Sequence, residues 1–535
     1  MTNSFSEHMR KIILYVFTLL FFSQCSSVKK HNRHLTELIP IAQLKSDVDF
    51  TYKKLQKLHP NLYWYISKPV LDSKFDSLKS TITQPIAPLA FYKKLSPVVA
   101  AVRQGHTYVY PASPQMTKKE TKALIKKGTG PFSQFDFDYF DNKLYVVNNK
   151  SYNKSIKPGA EVIAVNDVKP MDLIREYNNY YSSDGYNSTL KTSKSGKRFS
   201  SYFTAEKGIK DSLIYTLKYN DSIQQITIRR YKEDSIKKKE QKTKKIVTAT
   251  DRVKSRELRR KKRVNGYNAD SKNYNRNLHF LEKDSSVAIM KIRSFSKGNF
   301  RPFYKESFRE IDNYKSNTLI LDLRDNGGGR LSEIVDLYSY LSDSTFVFLD
   351  KSEVVSKSSL MRAAYFNGGS LGLKILKAIY APIIYSYLLL TVHKASDGKN
   401  YYATHTRPHR VKDLAFKGKI YVLINGGSFS ASSLISANLK SSKRVTFIGE
   451  ETGGAFNGTV SGFMPVLELP HSELKIRIGL MAMVPSNKTE IIGRGIFPDK
   501  EITPTLEDKL KGNDPELNWI LNNSKASIDL LSKEK

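Results

Sequence analysis

The chain has 535 residues, 40% of them hydrophobic, which suits about three domains with sizeable cores. Its single cysteine, Cys25, excludes an intramolecular disulfide. The formal charge of +36 suggests an anionic partner, but much of the excess is local: Arg229 to Arg263 holds 17 Lys and Arg against 5 Asp and Glu, a net of +12.

Met9-Arg10-Lys11 is basic, Ile12–Phe22 is apolar, and Ser23-Gln24-Cys25-Ser26-Ser27 follows at once. This predicts a secretory signal over residues 1–25, too short for a membrane span. A lone cysteine directly after the apolar run resembles a bacterial lipoprotein processing site, although Gln24 departs from that signal. The resemblance implies lipidation of Cys25 and membrane attachment there. The location it implies is the bacterial cell envelope, as a periplasm-facing lipoprotein or otherwise a secreted protein. Export argues against nucleic acid and for anionic lipid or an acidic substrate as the partner of the basic surface.

Residues 35–112 read as a helical domain. Leu44, Val48, Tyr52, Leu55 and Leu58 recur at helical spacing and Pro60 ends the run. Further helices are expected around Phe75–Leu78 and over Leu89–Val102. Val102 to Tyr110 then turns into a short strand with His106 at its mouth.

Residues 130–231 read as a β-rich module, with strands at Leu144–Val147 and near Val162 and a hairpin of Leu213–Tyr219 and Gln224–Arg230 around Asn220-Asp221. Lys157 to Val168 resembles the signature of PDZ domains, which capture extended peptides and free C-termini by strand addition; Ala160 replaces its Gly-Asp step. The polar stretch 176–210 is expected to be a surface loop. Residues 232–278 read as a basic linker, either a solvated helix or a tether, with few apolar anchors.

From residue 281 to 506 the pattern alternates strand and helix: Val287–Ile292, Phe303–Tyr314, Thr318–Leu323, Ser332–Leu341. That argues for an α/β layer. Within the insertion 351–405, Leu371–Val392 reads as one or two amphipathic helices that cap a site, dock on a membrane or pack in a core. Residues 507–535 are expected to be a C-terminal tail.

Ile420–Ile424 reads as a buried strand, Asn425-Gly426-Gly427 breaks it, and Leu434–Lys440 reads as a helix. Ser430 lies on the turn between them. A serine there is either an ordinary helix cap or a nucleophile beside the free N–H groups of a helix start. Gly does not flank it at both second neighbours, so it is not the nucleophile elbow of the α/β-hydrolases.

Four segments occur in order: Leu321-Asp322-Leu323-Arg324-Asp325-Asn326-Gly327-Gly328-Gly329, Gly427-Ser428-Phe429-Ser430-Ala431-Ser432, Ile448-Gly449-Glu450-Glu451-Thr452-Gly453-Gly454 and Gly493-Arg494-Gly495-Ile496-Phe497-Pro498-Asp499. With the PDZ-like module ahead of them, they resemble the C-terminal processing peptidase (tail-specific serine protease) family, loosely over 40–231 and well over 281–506. The resemblance implies a multidomain α/β fold: a helical N-terminal region, a PDZ-like module and a crotonase-like (ClpP/crotonase) spiral α/β core. It implies a serine endopeptidase with Ser430 as nucleophile, and oxyanion donors at the N–H groups of Ala431 and Gly328. It requires no metal or organic cofactor. Peptide or protein substrates are implied, held by their C-termini at the PDZ-like module. The Ser/Lys branch carries its lysine 25 residues after the nucleophile, where this chain has Ala455, and no lysine lies between Lys443 and Lys475. The branch similar to the tricorn protease core takes its base from a histidine ahead of the PDZ module, which falls at His106, and a supporting glutamate near the C-terminus, which falls at Glu490. Gly105 stands where that branch has a serine, and Thr107 or a backbone carbonyl is the substitute. The missing lysine also suits a different class of protein: a catalytically inactive family member that scaffolds peptides in the cell envelope.

Overall fold

The computed structural model describes residues 26–232, 249–281, 284–362, 371–402 and 406–523. The signal segment and Cys25 lie outside the described residues.

After a short helix at Ser26–His34, three longer helices form the N-terminal region: α1 (Ile41–Leu58), α2 (Lys68–Ser80) and α3 (Pro88–Ala100). Leu44, Val48, Leu55, Leu71, Phe75, Phe91 and Leu95 form their buried stripes, as the helical spacing predicts. After α3 the chain passes through His106 into β1 (Tyr108–Val109).

The next module is a five-stranded antiparallel meander in sequential order: β2 (Phe135–Phe140), β3 (Lys143–Asn149), β4 (Glu161–Val165), β5 (Ser212–Tyr219) and β6 (Ser222–Arg229). The β5–β6 hairpin turns at Asn220-Asp221, where Asn220 takes a positive φ, as Asn tolerates. Two helices, α4 (Pro170–Asn178) and α5 (Thr189–Lys207), cross over from β4 to β5. Helix α5 overturns the expected surface loop at 176–210. Its Leu190, Phe199, Tyr202 and Phe203 are buried, and Gly196 lets it lie against the Asp138 backbone, where a Cβ would come within 2.6 Å. The lysines and serines that suggested a loop share the helix with this aromatic stripe.

Part of the basic linker forms α6 (Ala249–Asn265), which is mostly exposed. The α/β region begins at Arg276, slightly earlier than expected. Its sheet contains β7 (Arg276–Leu281), β8 (Asp284–Ile292), β9 (Thr318–Asp322), β10 (Lys419–Ile424), β11 (Val445–Gly449) and β12 (Lys500–Glu501). These lie side by side in that order, parallel except for the antiparallel β7–β8 pair. Register pairs Leu321 with Val422 and Leu423 with Ile448. Every residue of β9 is buried, because the sheet is covered on both faces. On one face Leu319, Leu321, Ile420 and Val422 join the main core. On the other, Ile320, Tyr421, Leu423 and Ile448 pack with Ile520. The expected C-terminal tail therefore includes core structure. Arg324 fixes it further, reaching Asp514 at 2.8 Å and Glu516 at 3.1 Å.

Helices α7 (Phe300–Asn313) and α8 (Leu331–Tyr338) follow β8 and β9. Glu333 of α8 and Arg276 of β7 form a fully buried ion pair with contacts of 2.5 and 2.7 Å, joined by Tyr304 Oη at 3.1 Å. Because α8 starts directly after Gly327-Gly328-Gly329, this pair anchors the glycine turn. Leu371–Thr391 forms one helix, α9. It buries Ala381 and Leu388 and leaves Ile379, Ile383, Tyr387 and Leu390 exposed. Among the described residues, no helix is long and apolar enough to cross a membrane.

Candidate active site

β10 ends at Ile424, and the turn Asn425–Phe429 feeds helix α10 (Ala431–Leu439), all nine residues of which are buried. Small residues make this possible: Ser432, Ser433, Ser436 and Ala437 let the helix sit inside the core. Ser430 joins turn to helix at φ 59, ψ −119, and its side chain makes no capping bond. That conformation is costly for a residue with a Cβ and persists only where surrounding contacts impose it. The ordinary helix-cap reading therefore fails. Ser430 Oγ instead lies 2.9 Å from His106 Nε2, across 324 residues of sequence.

His106 is held by its own loop. The Thr107 amide donates to Gln104 O at 2.8 Å, Gln104 Oε1 accepts from Val460 N at 3.1 Å, and the Gly105 amide donates to Asp184 Oδ1 at 2.8 Å. The Phe429 ring packs against the imidazole at 4.9 Å between centroids. Gly105 permits this approach, since a Cβ there would come 2.7 Å from Phe429 Cζ; a serine does not fit in that conformation. Thr107, the expected substitute, is buried and its hydroxyl has no hydrogen-bond partner among the described residues.

Glu490 does not join the pair. Asn487 Nδ2 bonds Ala437 O and the Thr489 amide bonds Asn457 Oδ1, and this tethered loop carries Glu490 on its exposed side. Beside the other imidazole nitrogen, Nδ1, stands Arg477, with Nη2 at 3.5 Å. An arginine has donors only, so its approach favours a lone pair on Nδ1 and the resting ring proton on Nε2, toward Ser430. Burial, and then the Arg477 charge, lower the His106 pKa to about 3; the ring is neutral near pH 7.

The glycine turn meets the serine from the opposite strand. A Cβ on Gly328, at φ +97, would come within 2.8 Å of Ala431 N, Phe429 O and Ser430 Cβ, so only glycine fits. The Ala431 amide has no acceptor among the described residues. The Gly328 amide, expected to be equally free, donates to Asn326 Oδ1 at 2.9 Å. The correction has a local cause, since the Asn326 side chain folds back over the turn it initiates. On a third side, a Cβ on Gly454 would lie 3.1 Å from Ser430 N. The neighbouring Ala455, at the position of the other branch's lysine, is buried and has no titratable side chain.

Two charged residues of this neighbourhood were missed by sequence reading. Asp184 is fully buried, and its pKa is pushed up to about 7 by desolvation, against the pull of the Gly105 amide, the Thr459 hydroxyl and the Ala455 amide. Arg477 lies half-buried on Lys475–Arg477, a strand paired with β1. Neither has a local signature, because their partners lie 79 and 371 residues away. Among the described residues no cluster of three or more His, Cys, Asp or Glu side chains suits a metal ion.

Residues 286–502 match the model of Peptidase family S41. The chain is 28% identical over 237 residues to a carboxy-terminal-processing protease of Bartonella bacilliformis, covering 44% of this chain and 43% of that protein. It is 27% identical over 241 residues to a tail-specific protease of Haemophilus influenzae, covering 44% and 27%. The matched stretch thus spans less than half the length of either curated relative. Among solved structures, mature CPAF complexed with lactacystin aligns with a TM-score of 0.57 at 14% identity, covering 92% of this chain and 99% of that one. Mature CPAF alone aligns with a TM-score of 0.54 at 15% identity, covering 88% and 94%. This likeness concerns the mixed α/β, multidomain fold.

Proposed function

We propose that this chain, whose residues 286–502 match Peptidase family S41, is a C-terminal processing peptidase and a serine endopeptidase of the Ser/His type. The observation that carries the reading is the 2.9 Å contact between Ser430 Oγ and His106 Nε2, made by a serine in a strained backbone conformation beside an unpaired Ala431 amide.

Ser430 attacks the scissile carbonyl while His106, once its ring proton has shifted from Nε2 to Nδ1, takes the serine proton at Nε2. The Ala431 N–H meets the developing oxyanion. The second donor comes from the glycine turn, where the Gly328 amide exchanges Asn326 Oδ1 for the more strongly charged oxyanion. His106 then protonates the leaving amine, and water hydrolyses the acyl-enzyme by the reverse sequence. Asp184 and Gln104 act through the backbone of the His106 loop and are positioning residues.

The antiparallel module between the helices and the α/β region is the PDZ-like element of this proposal, taking substrate C-termini along a sheet edge. Attachment through Cys25 to an envelope membrane rests on the sequence of residues 1–25. The scaffold reading has one specific observation in its favour, the cation beside His106 Nδ1 where an acid is expected. Labelling with a fluorophosphonate probe separates the two. The peptidase labels at Ser430 and Ser430→Ala does not; equal labelling of both proteins leaves the scaffold.

A further inference from the structure

Arg477 is a charged group without a counter-charge. Its Nη1 donates to Tyr108 Oη at 3.2 Å, and its Nη2 lies 2.6 Å from Met464 Sδ and 3.5 Å from His106 Nδ1. Its guanidinium carbon lies 5.7 Å from the centre of the Tyr108 ring. Among the described residues no carboxylate forms an ion pair with it. Other half-buried arginines near the site are compensated: Arg324 by Asp322, Asp514 and Glu516, and Arg494 by Glu451. A half-buried guanidinium beside thioether, phenol and imidazole has lost water without gaining an anion. It also opposes the imidazolium that forms when His106 takes the serine proton. The site as it stands lacks one negative group, and that group belongs next to Nδ1.

We propose that Arg477 is a recognition site for a substrate carboxylate, so that the substrate supplies the anion missing beside His106. The inference rests on the peptidase reading above. A carboxylate on Arg477 pairs bidentately with the guanidinium and cancels the charge facing Nδ1. The Nδ1 lone pair then no longer faces an unpaired cation. The imidazole can carry its resting proton on Nδ1, and Nε2 is free to accept from Ser430. Two sources fit this chemistry: an acidic side chain near the scissile bond, or a free C-terminal carboxylate a short distance beyond it.

The test uses the full chain carrying Ser430→Ala and degenerate apolar decapeptides labelled with fluorescein at the N-terminus. One pool has a free C-terminus, one is amidated, and one is amidated with a single Glu placed in turn at each central position. Anisotropy titration should show at least about tenfold tighter binding for one carboxylate-bearing pool than for the amidated neutral pool. A preference for the free end identifies the terminus; a preference for Glu identifies the side chain. Arg477→Met, added to Ser430→Ala, should remove the preference and Arg477→Lys should keep part of it. Equal binding of all pools overturns the proposal without any Arg477 variant, and so does a preference that survives Arg477→Met. With wild-type enzyme the preferred pool should also show the higher kcat/KM. Fluorophosphonate labelling draws on the minor fraction of rings already free at Nε2 and so proceeds, slowly, without a carboxylate. Labelling without carboxylate preference therefore refutes the Arg477 site alone, and absence of labelling refutes the peptidase reading.

Discussion

Replacing Asp184 by Asn should stabilise the protein above neutral pH while leaving it nearly unchanged at pH 4. Asp184 is fully buried and Oδ1 accepts the Gly105 amide at 2.8 Å; Oδ2 makes no close hydrogen bond among the described residues, with the Thr459 hydroxyl and Ala455 amide acting on the carboxyl only weakly. Desolvation raises its pKa from 3.8 to about 7. An acid whose pKa rises on folding holds its proton more tightly in the native state, so its contribution is fully present below about pH 4. That contribution is lost as pH climbs through about 7, and the difference stays constant above that. Three units at 1.36 kcal/mol each give a penalty on the order of 4 kcal/mol at pH 8. Asn is isosteric, carries no charge, still accepts from Gly105 and offers Nδ2 toward Thr459. Urea unfolding followed by tryptophan fluorescence from pH 4 to 8.5 reads the effect: the wild-type curve should fall between pH 4 and 8 more steeply than that of Asp184→Asn. Parallel curves, or a mutant less stable than wild type at pH 8, would refute the argument that burial governs this carboxyl.

His106→Gln should slow fluorophosphonate labelling of Ser430 by about 10²- to 10⁴-fold, the usual contribution of a positioned general base; labelling at the wild-type rate removes His106 from the mechanism. Gly328→Ala places a Cβ 2.8 Å from both Ser430 Cβ and Ala431 N at φ +97. It should abolish labelling and cost about 1–3 kcal/mol in chemical denaturation. Glu333→Gln leaves the buried Arg276 charge without its counter-ion, at a cost of about 3–5 kcal/mol in the same assay; a change below about 1 kcal/mol would show that Tyr304 and nearby carbonyls suffice. Phe199→Ala should cost about 3–5 kcal/mol because the ring is fully buried, whereas a surface loop would tolerate it.

What the sequence made legible was set by how local the cause is. The strands β9 and β10 are visible because a parallel strand covered on both faces must be continuously apolar. The Ser430 turn is visible because strand, Gly-Gly break and helix follow one another without interruption. His106 was reachable only through the order of motifs along the chain, since nothing near residue 106 specifies a partner at 430. Helix α5 was misjudged from the lysines and serines on its outer side, although Phe199, Tyr202 and Phe203 already carried the helical repeat. Glu490 illustrates the opposite error: its position in the chain suited the role, but Asn487 and Thr489 tether the loop so that its side chain faces solvent. Arg477 and Asp184 had no signature, because a long-range charge contact leaves the local pattern unchanged.

The serine and histidine meet only where three parts of the chain converge. Ser430 belongs to the parallel sheet, His106 to the end of the helical region, and Asp184 to the segment between α4 and α5. Helix α5 itself reaches the site: Lys197 pairs with Asp325 at 3.1 Å in the glycine turn, and Cβ atoms on Gly426 and Gly453 would collide with Thr189 and Leu190. Each contact is modest. The exposed Lys197–Asp325 pair contributes about 0–1 kcal/mol, while the close backbone approaches at Gly426 and Gly453 impose shape. The nucleophile can form on the α/β region alone, because its turn, its strained φ and its Ala431 amide are built from β10, α10 and the glycine turn. The base cannot, because its loop is held by Asp184 and Val460, one on either side. Reactivity that depends on His106 is therefore a direct measure of whether helices, meander and sheet are docked, and it should be lost before the sheet itself unfolds.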